Sequence, residues 1–290
     1  LARAGHDVTL VDVNRDAVER VNREGLRVDD PDATETTRVP ATTDPASVDV
    51  VDAVIVFVKC YHTEEAVRAA LPMIGDHTVA LSLQNGWGNA PRIAEIVGSE
   101  RVVVGVSYNS ATVLGPGHVQ HAGTGTTFLG ELDGGVSERV SQIADALNDA
   151  GLEAEATGDV LREVWSKLAL NVCTLPTSAV LRFTADQLIA DANVCELMRE
   201  ILAEAVAVAN AQDISLDFDE RWATITDILT RAVGGKASML QDVESNRRTE
   251  IDVINGAVAE MGAELGIPTP YNETMALLVK TIEDAYHTEQ

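Results

Sequence analysis

The hydrophobic pattern of the chain changes period about half-way along. Leu1-Ala2-Arg3-Ala4 reads as the last turn of a helix, with Gly5 as its stop. Val8 to Val11 read as a buried strand ending at Asp12, and Asp16 to Glu24 as a helix closed by Gly25. The β-branched run from Val50 to Val58 predicts a strand ending at Lys59. A helix is expected over Thr63 to Leu71, then a strand from Thr78 to Leu83 that leads into Gln84-Asn85-Gly86. A further helix over Ala90 to Val97 and a strand over Val102 to Val106 continue the alternation, which implies a mostly parallel sheet. From Gly115 the pattern becomes hairpin-like, with Val119 to His121 expected to pair with Thr126 to Leu129. After the strand-like stretch Glu153 to Thr157, nearly everything from Asp159 to His287 has helical period. Leu188, Val194, Leu197, Ile201 and Val208 fall in one long segment. A boundary near Gly158 therefore predicts an α/β domain over 1–157 and an all-helical domain over 158–290, with a site in the cleft between them.

Asp12 refines the first half. In a dinucleotide-binding unit the second strand carries an acidic residue about twenty positions after the Gly-rich turn. On that reading the first strand and its turn would lie before Leu1, and the chain starts mid-pattern without an initiator Met. The expectation is an N-terminally incomplete first domain with weakened cofactor affinity, because the missing turn would hold the pyrophosphate at a helix N-terminus.

Composition narrows the function classes. The 290 residues are 46% hydrophobic with no apolar run of transmembrane length, so no membrane partner is expected. Cys60, Cys173 and Cys195 have no metal-ligand spacing and read as reduced thiols of a cytoplasmic protein. The net charge of −25, spread along the whole chain, disfavours nucleic acid as a partner. Such an acidic surface fits a halophilic host, where high salt screens self-repulsion; an ordinary acidic protein is the alternative. Unfolding curves are expected to show greater stability in molar KCl than at low salt, and equal stability in both would remove the halophilic reading.

Lysine usage singles out candidate chemistry. Only Lys59, Lys167, Lys236 and Lys280 occur, against seventeen arginines. A partly buried lysine can give up a proton near neutral pH, whereas arginine cannot. Lys167 and Asn171 are four apart and share one face if helical; a snorkelling lysine and a capping asparagine fit the same spacing. Ser238, Gln241, Asp242 and Glu250 form a second polar cluster, which also fits a solvated helix-loop-helix junction. Lys59 and Asn85 follow predicted strands, where open α/β sheets place ligand contacts, although a surface lysine and a turn residue are equally compatible. His118 and His121 read as strand residues, and no metal is assigned.

Taken in order, these blocks resemble the ketopantoate reductase family (2-dehydropantoate 2-reductase). The matching segments are Ala4-Gly5-His6-Asp7-Val8, Gln84-Asn85-Gly86 and Gly115-Pro116-Gly117-His118-Val119-Gln120-His121. In the second half they are Trp165-Ser166-Lys167-Leu168-Ala169-Leu170-Asn171, Ser238-Met239-Leu240-Gln241-Asp242 and Thr249 to Gly256. The resemblance implies a Rossmann-type parallel sheet, here without its first strand, followed by an all-helical domain of the 6-phosphogluconate-dehydrogenase-like type. It implies NADPH-dependent reduction of 2-dehydropantoate to pantoate, on the way to coenzyme A. Lys167 would be the general acid and Glu250 the supporting catalytic carboxylate. Asn85, Asn171 and Ser238 would hold substrate, and Lys59 and Asn85 would lie near cofactor. Leu175-Pro176 stands where the family often has Asn-Pro, so one polar contact is expected to be absent. In Asp12-Val13-Asn14-Arg15, Asp12 favours the ribose hydroxyls of NADH while Arg15 could reach the 2′-phosphate of NADPH. A homodimer is expected, with contacts through segments such as Met275 to Val279, although an apolar helix face there is more often plain core. The alternatives are a related reductase of another 2-oxo or 3-hydroxy acid, and a non-catalytic cofactor-binding paralogue.

Overall fold

In this computed structural model the structure describes residues 1–286; the last positions of the expected helical domain, 287–290, lie outside the described residues. The chain forms two compact units. One comprises Leu1–Val58, His62–Gln84 and Ala90–Val160, and the other comprises Lys59–Tyr61, Asn85–Asn89 and the chain from Leu161 on. Two short pieces of the first half, 59–61 and 85–89, thus belong with the helices rather than with the sheet.

The first unit begins with β1 (Leu10–Val11), α1 (Arg15–Glu24), β2 (Leu26–Asp29), β3 (Thr34–Thr37) and β4 (Ala41–Thr42). Next come β5 (Ala53–Val56), α2 (Thr63–Ala70), β6 (Val79–Ser82), α3 (Asn89–Val97) and β7 (Val102–Ser107). β8 (Ser110–Gly115), β9 (His118–Gly123), β10 (Thr127–Glu131), α4 (Glu138–Asp149) and β11 (Ala154–Ala156) complete it. The main sheet runs β11-β10-β7-β6-β5. β5, β6 and β7 are mutually parallel, β10 is antiparallel to β7, and β11 is parallel to β10. All four residues of β6 are buried, as expected for a parallel strand covered on both faces. β1 pairs in parallel with β4 as a separate two-stranded sheet. At its end Asp12 accepts the Asn14 N–H at 2.8 Å, and Asn14 caps α1 by accepting from Ala17 N–H.

Several sequence expectations change here. The strand predicted over Val50 to Val58 shortens to Ala53–Val56, and Val50 is 64% exposed. The expected pairing of Val119–His121 with Thr126–Leu129 does not form. β9 pairs antiparallel with β8 across the Gly115-Pro116-Gly117 turn, where Gly117 has φ +65°, and in parallel with β2. β10 instead crosses β7, placing Leu129 opposite Gly105. A Cβ on Gly105 would lie 2.7 Å from Leu129 Cδ2, so the missing side chain admits this pairing. β2, β3 and β4 lie outside the expected strands: Thr34-Glu35-Thr36-Thr37 of β3 has no apolar alternation to reveal it, and the alternation of β2 and β4 extends over only four and two residues. His118 and His121 lie in β9, paired with Asp29 and Asp30 at 2.7 and 2.8 Å. The His118 contact holds the Asp29 carboxyl down at about 2.

The helical unit comprises α5 (Val160–Leu181), α6 (Ala185–Ala190), α7 (Ala192–Asn210) and α8 (Phe218–Arg231), then α9 (Ser238–Glu244), α10 (Asn255–Leu265) and α11 (Pro270–Ala285). The segment expected to be one long helix is broken at Asp191, whose carboxylate accepts from Asn193 and Val194 N–H and starts α7 afresh. Trp165, Leu168, Ala169, Val172 and Cys173 of α5 are buried in the helical core with Met198, Ile201 and Leu202 of α7.

Pro176 lies inside α5 and supplies no N–H for the Val172 carbonyl one turn earlier. The buried Asn255 side chain donates to that carbonyl at 3.0 Å and to Asn272 Oδ1 at 3.0 Å. Asn272 in turn donates to the Ile201 carbonyl and to Glu204, and Glu204 also accepts the Tyr271 and Asn272 backbone N–H groups that open α11. Asn255→Ala orphans two buried acceptors together, so urea unfolding is expected to show a loss of about 2–3 kcal/mol; a loss under about 0.5 kcal/mol would contradict that role.

Candidate active site

Lys167 and Asn171 lie one turn apart on α5, and Asn171 is buried. The indole of Trp165 and the flanking Leu168 and Ala169 are fully buried, which fixes the face of the helix that remains for the polar pair. Burial pushes the Lys167 ammonium down to about 8, and the Glu250 carboxylate acts the other way, favouring the charged form. A lysine in that range is protonated at neutral pH yet can release its proton.

Glu250 leads into a single 3₁₀ turn, Ile251–Val253, and is buried. Its Oε1 accepts the Cys60 backbone N–H at 3.1 Å, and its Oε2 lies 3.6 Å from Lys59 Nζ. Lys59 Nζ donates to Asp242 Oδ2 at 2.7 Å, and Arg247 Nε donates to the other oxygen of Asp242 at 3.2 Å. Burial pushes the Lys59 ammonium down, but Glu250 and Asp242 outweigh it and hold it above the usual lysine value. Tyr61 ends the segment 59–61: its hydroxyl donates to the Arg248 carbonyl at 3.2 Å, and the Arg248 guanidinium stands 4.8 Å over its ring.

A second piece of the first half is fastened to the same turn. The Trp87 backbone N–H donates to the Val253 carbonyl at 2.8 Å, and the Trp87 ring lies 5.5 Å from the Trp165 ring, tilted by 49°. Gly86 has φ +82°, and a Cβ on it would run into the Val253 carbonyl oxygen and lie 2.6 Å from Val253 Cγ2. Half-buried Asn85 precedes it, its carbonyl accepting from Asn89 Nδ2 at 2.9 Å.

Of the residues expected from sequence, Lys59, Lys167 and Glu250 interact through charge, with Asn171 one turn along α5. Ser238 is exposed and opens α9 one turn before Asp242. Leu175 is half-buried against the helical core, so that position presents hydrocarbon. Asp12 and Arg15 belong to the first unit, exposed at the end of β1 and the start of α1. Asp242 had no assigned role in the sequence reading. Its only signal was its place in Ser238-Met239-Leu240-Gln241-Asp242, since its ion pair with Lys59 spans 183 positions.

The model of ketopantoate reductase PanE/ApbA matches residues 1–134, and the model of its C-terminal part matches residues 159–283. The chain belongs to the ketopantoate reductase PanE/ApbA family. It is 34% identical to 2-dehydropantoate 2-reductase of Halobacterium salinarum over 274 residues, covering 94% of this chain and 90% of that protein. It is 32% identical to 2-dehydropantoate 2-reductase of Archaeoglobus fulgidus over 280 residues, 97% of this chain and 91% of that one. Among solved structures, the ternary structure of D-mandelate dehydrogenase with NADH and anilino(oxo)acetate superposes with a TM-score of 0.93 at 27% identity, covering 99% and 93% of the two chains. A PanE/ApbA family ketopantoate reductase from Ralstonia eutropha superposes with a TM-score of 0.91 at 31% identity, again covering 99% and 93%. The fold is therefore the Rossmann-type sheet with a helical C-terminal part. Among the described residues no helix is long and apolar enough to cross a membrane.

Proposed function

We propose that this chain reduces 2-dehydropantoate to pantoate with a nicotinamide cofactor, with Lys167 as general acid. The observation that carries the reading is a lysine held near 8 by burial, whose charged form the buried Glu250 carboxylate favours, one turn from a buried asparagine. When a ketone is reduced, negative charge develops on its oxygen; an ammonium aimed there stabilises it and supplies the proton. Glu250 keeps that ammonium charged between turnovers. Asn85, Asn171 and Ser238 are the polar groups assigned to the carboxylate and hydroxyl ends of the substrate.

The nicotinamide cofactor supplies the reducing hydrogen when bound. Its fit to these residues rests on Asp12, an exposed strand-end carboxylate with one oxygen engaged by the Asn14 N–H and chemistry suited to ribose hydroxyls. NADPH is the family's default, with Arg15 as the candidate phosphate contact and Lys59 and Asn85 as further contacts. Consumption of NADPH and of NADH with 2-dehydropantoate tests the reading. No consumption of either at saturating cofactor would reject it and favour a non-catalytic, cofactor-binding role.

A second reading, reduction of a different 2-oxo acid, is favoured by Leu175 and by the likeness to D-mandelate dehydrogenase. Higher kcat/KM with an aryl 2-oxo acid than with 2-dehydropantoate would decide for it. A cytoplasmic location and a homodimer go with the main reading. Of Met275 to Val279 in α11, Met275, Ala276 and Val279 are buried within the unit, which leaves Leu277 and Leu278 exposed for a second copy. Size-exclusion chromatography with light scattering tests that state.

The acid also sets a pH dependence. Lys167 must carry its proton to act, so kcat/KM for reduction is expected to be level below pH about 8 and to fall about tenfold per pH unit above it. A profile flat to pH about 10, the ordinary lysine range, would exclude this lysine as the titrating acid.

A further inference from the structure

The Lys59 ammonium has two buried carboxylates within reach and contacts them unequally, at 2.7 Å for Asp242 and 3.6 Å for Glu250. Asp242 is 4% exposed, so water disperses little of its charge. A buried carboxylate is costly unless it is compensated, and here Lys59 and Arg247 supply the compensation. The reduction itself needs only one carboxylate beside Lys167, and Glu250 is that one. Asp242 acts on a different cation.

We propose that Asp242 is a positioning residue of the reaction: it takes up the Lys59 ammonium, so that the Glu250 carboxylate is left to act on Lys167. The proposal rests on reading Lys167 as the acid. Without Asp242, the nearest anion for Lys59 is Glu250, and closing 3.6 Å to hydrogen-bond length takes only a small movement of a flexible side chain. Glu250 would then be shared with a closer cation. Lys167, whose charged form burial already disfavours, would lose part of the interaction that opposes burial. The groups that bear on this balance are Lys59, Cys60 and Tyr61 of segment 59–61, Asp242 and Arg247 at α9 and its exit, Arg248 and Glu250 at the 3₁₀ turn, and Tyr286 after α11, which feels the Asp242 charge.

The charges predict effects of opposite sign. Asp242→Asn removes a negative charge and frees Lys59 to approach Glu250, so Lys167 should lose its proton at lower pH. Lys59→Met removes the competing cation, so Lys167 should hold its proton to higher pH. The double variant removes a neutral pair and should return Lys167 close to its original value. A packing defect has no reason to produce this sequence of signs.

The chain has four lysines, so carbon-13 NMR of the lysine ε-carbons can follow Lys167 directly in the full chain without turnover, assigned by its loss in Lys167→Met. The expected result is a titration moved by about 0.5–1 pH unit downward in Asp242→Asn and upward in Lys59→Met, and restored in the double variant. The alkaline limb of kcat/KM should move with it in Asp242→Asn. Titrations within about 0.2 pH unit of one another in all four proteins, or shifts of the same sign in both single variants, would overturn the proposal. If Asp242→Asn does not fold, Lys59→Met and the double variant still decide, because the upward shift must appear in the first and vanish in the second. Loss of the alkaline limb in the parent protein would instead reject Lys167 as the acid, an outcome separable from these shifts.

Discussion

Lys167→Ala is expected to lower kcat about 10²–10⁴-fold, the usual worth of a positioned proton donor. The loss should fall on kcat more than on KM, because the ammonium acts chiefly on charge that appears during the reaction. Folding should be unharmed. A lysine whose folded-state pKa is lowered from 10.5 to about 8 disfavours the folded state at pH values where it must carry charge. That penalty is full below about 8 and relieved as pH rises from 8 toward 10.5, so at neutral pH the alanine variant should unfold at the same denaturant concentration as the parent or a higher one. Lys167→Arg separates charge from proton transfer, since guanidinium keeps the charge and cannot release the proton. It should remain nearly as slow as the alanine variant. Steady-state kinetics with matched urea unfolding check both expectations, and turnover within about threefold of the parent in Lys167→Ala would reject the acid.

Gly86→Ala is expected to be the most destabilising of the small substitutions, at about 2–5 kcal/mol. Two costs combine: an L residue at φ +82° loses about 1–2 kcal/mol, and the new methyl would have to displace the backbone carbonyl of Val253 rather than a pliable side chain, adding about 1–3 kcal/mol. The displaced carbonyl also receives the Trp87 N–H, so that hydrogen bond weakens with it. Because Val253 closes the turn begun by Glu250, activity should fall in the molecules that remain folded. Thermal unfolding and kcat at a temperature well below the transition separate the two effects. A midpoint within about 2 °C of the parent would show that the turn yields without cost.

How much of this was legible in the sequence depended on how far apart the interacting residues lie. The pairing of Lys167 with Asn171 was readable because helix geometry places positions four apart on one face, and Trp165, Leu168 and Ala169 mark the opposite, buried side. Asp12 does end a strand, as its local pattern indicates, but that strand is Leu10–Val11 rather than a buried Val8 to Val11, and Val11 is exposed. The Lys59 ion pairs were not readable, since periodicity carries no information about a partner 183 residues away. Asp242 stood in a quoted motif without a role, as a carboxylate on a short polar helix looks like any solvated one until its burial is known. The β9 pairing was misjudged because two strand-like stretches on either side of a glycine invite a hairpin, while the real partner lay before Gly115-Pro116-Gly117. The polar strand β3 has no hydrophobic face to announce it, so only its backbone pairing with β2 reveals it.

The incorporation of residues 59–61 and 85–89 into the helical unit has a practical consequence for engineering. A chimera made by a single crossover near Gly158 would take its α5, α9 and 3₁₀ turn from one parent, and the tripeptide and pentapeptide that fasten onto them from the other. Charge pairing at Asp242 and the glycine contact at Val253 would then depend on two unrelated histories. Exchange of catalytic halves between family members should therefore transplant three segments together, and libraries recombined at one point should be depleted of active members wherever the parents differ at these eight positions.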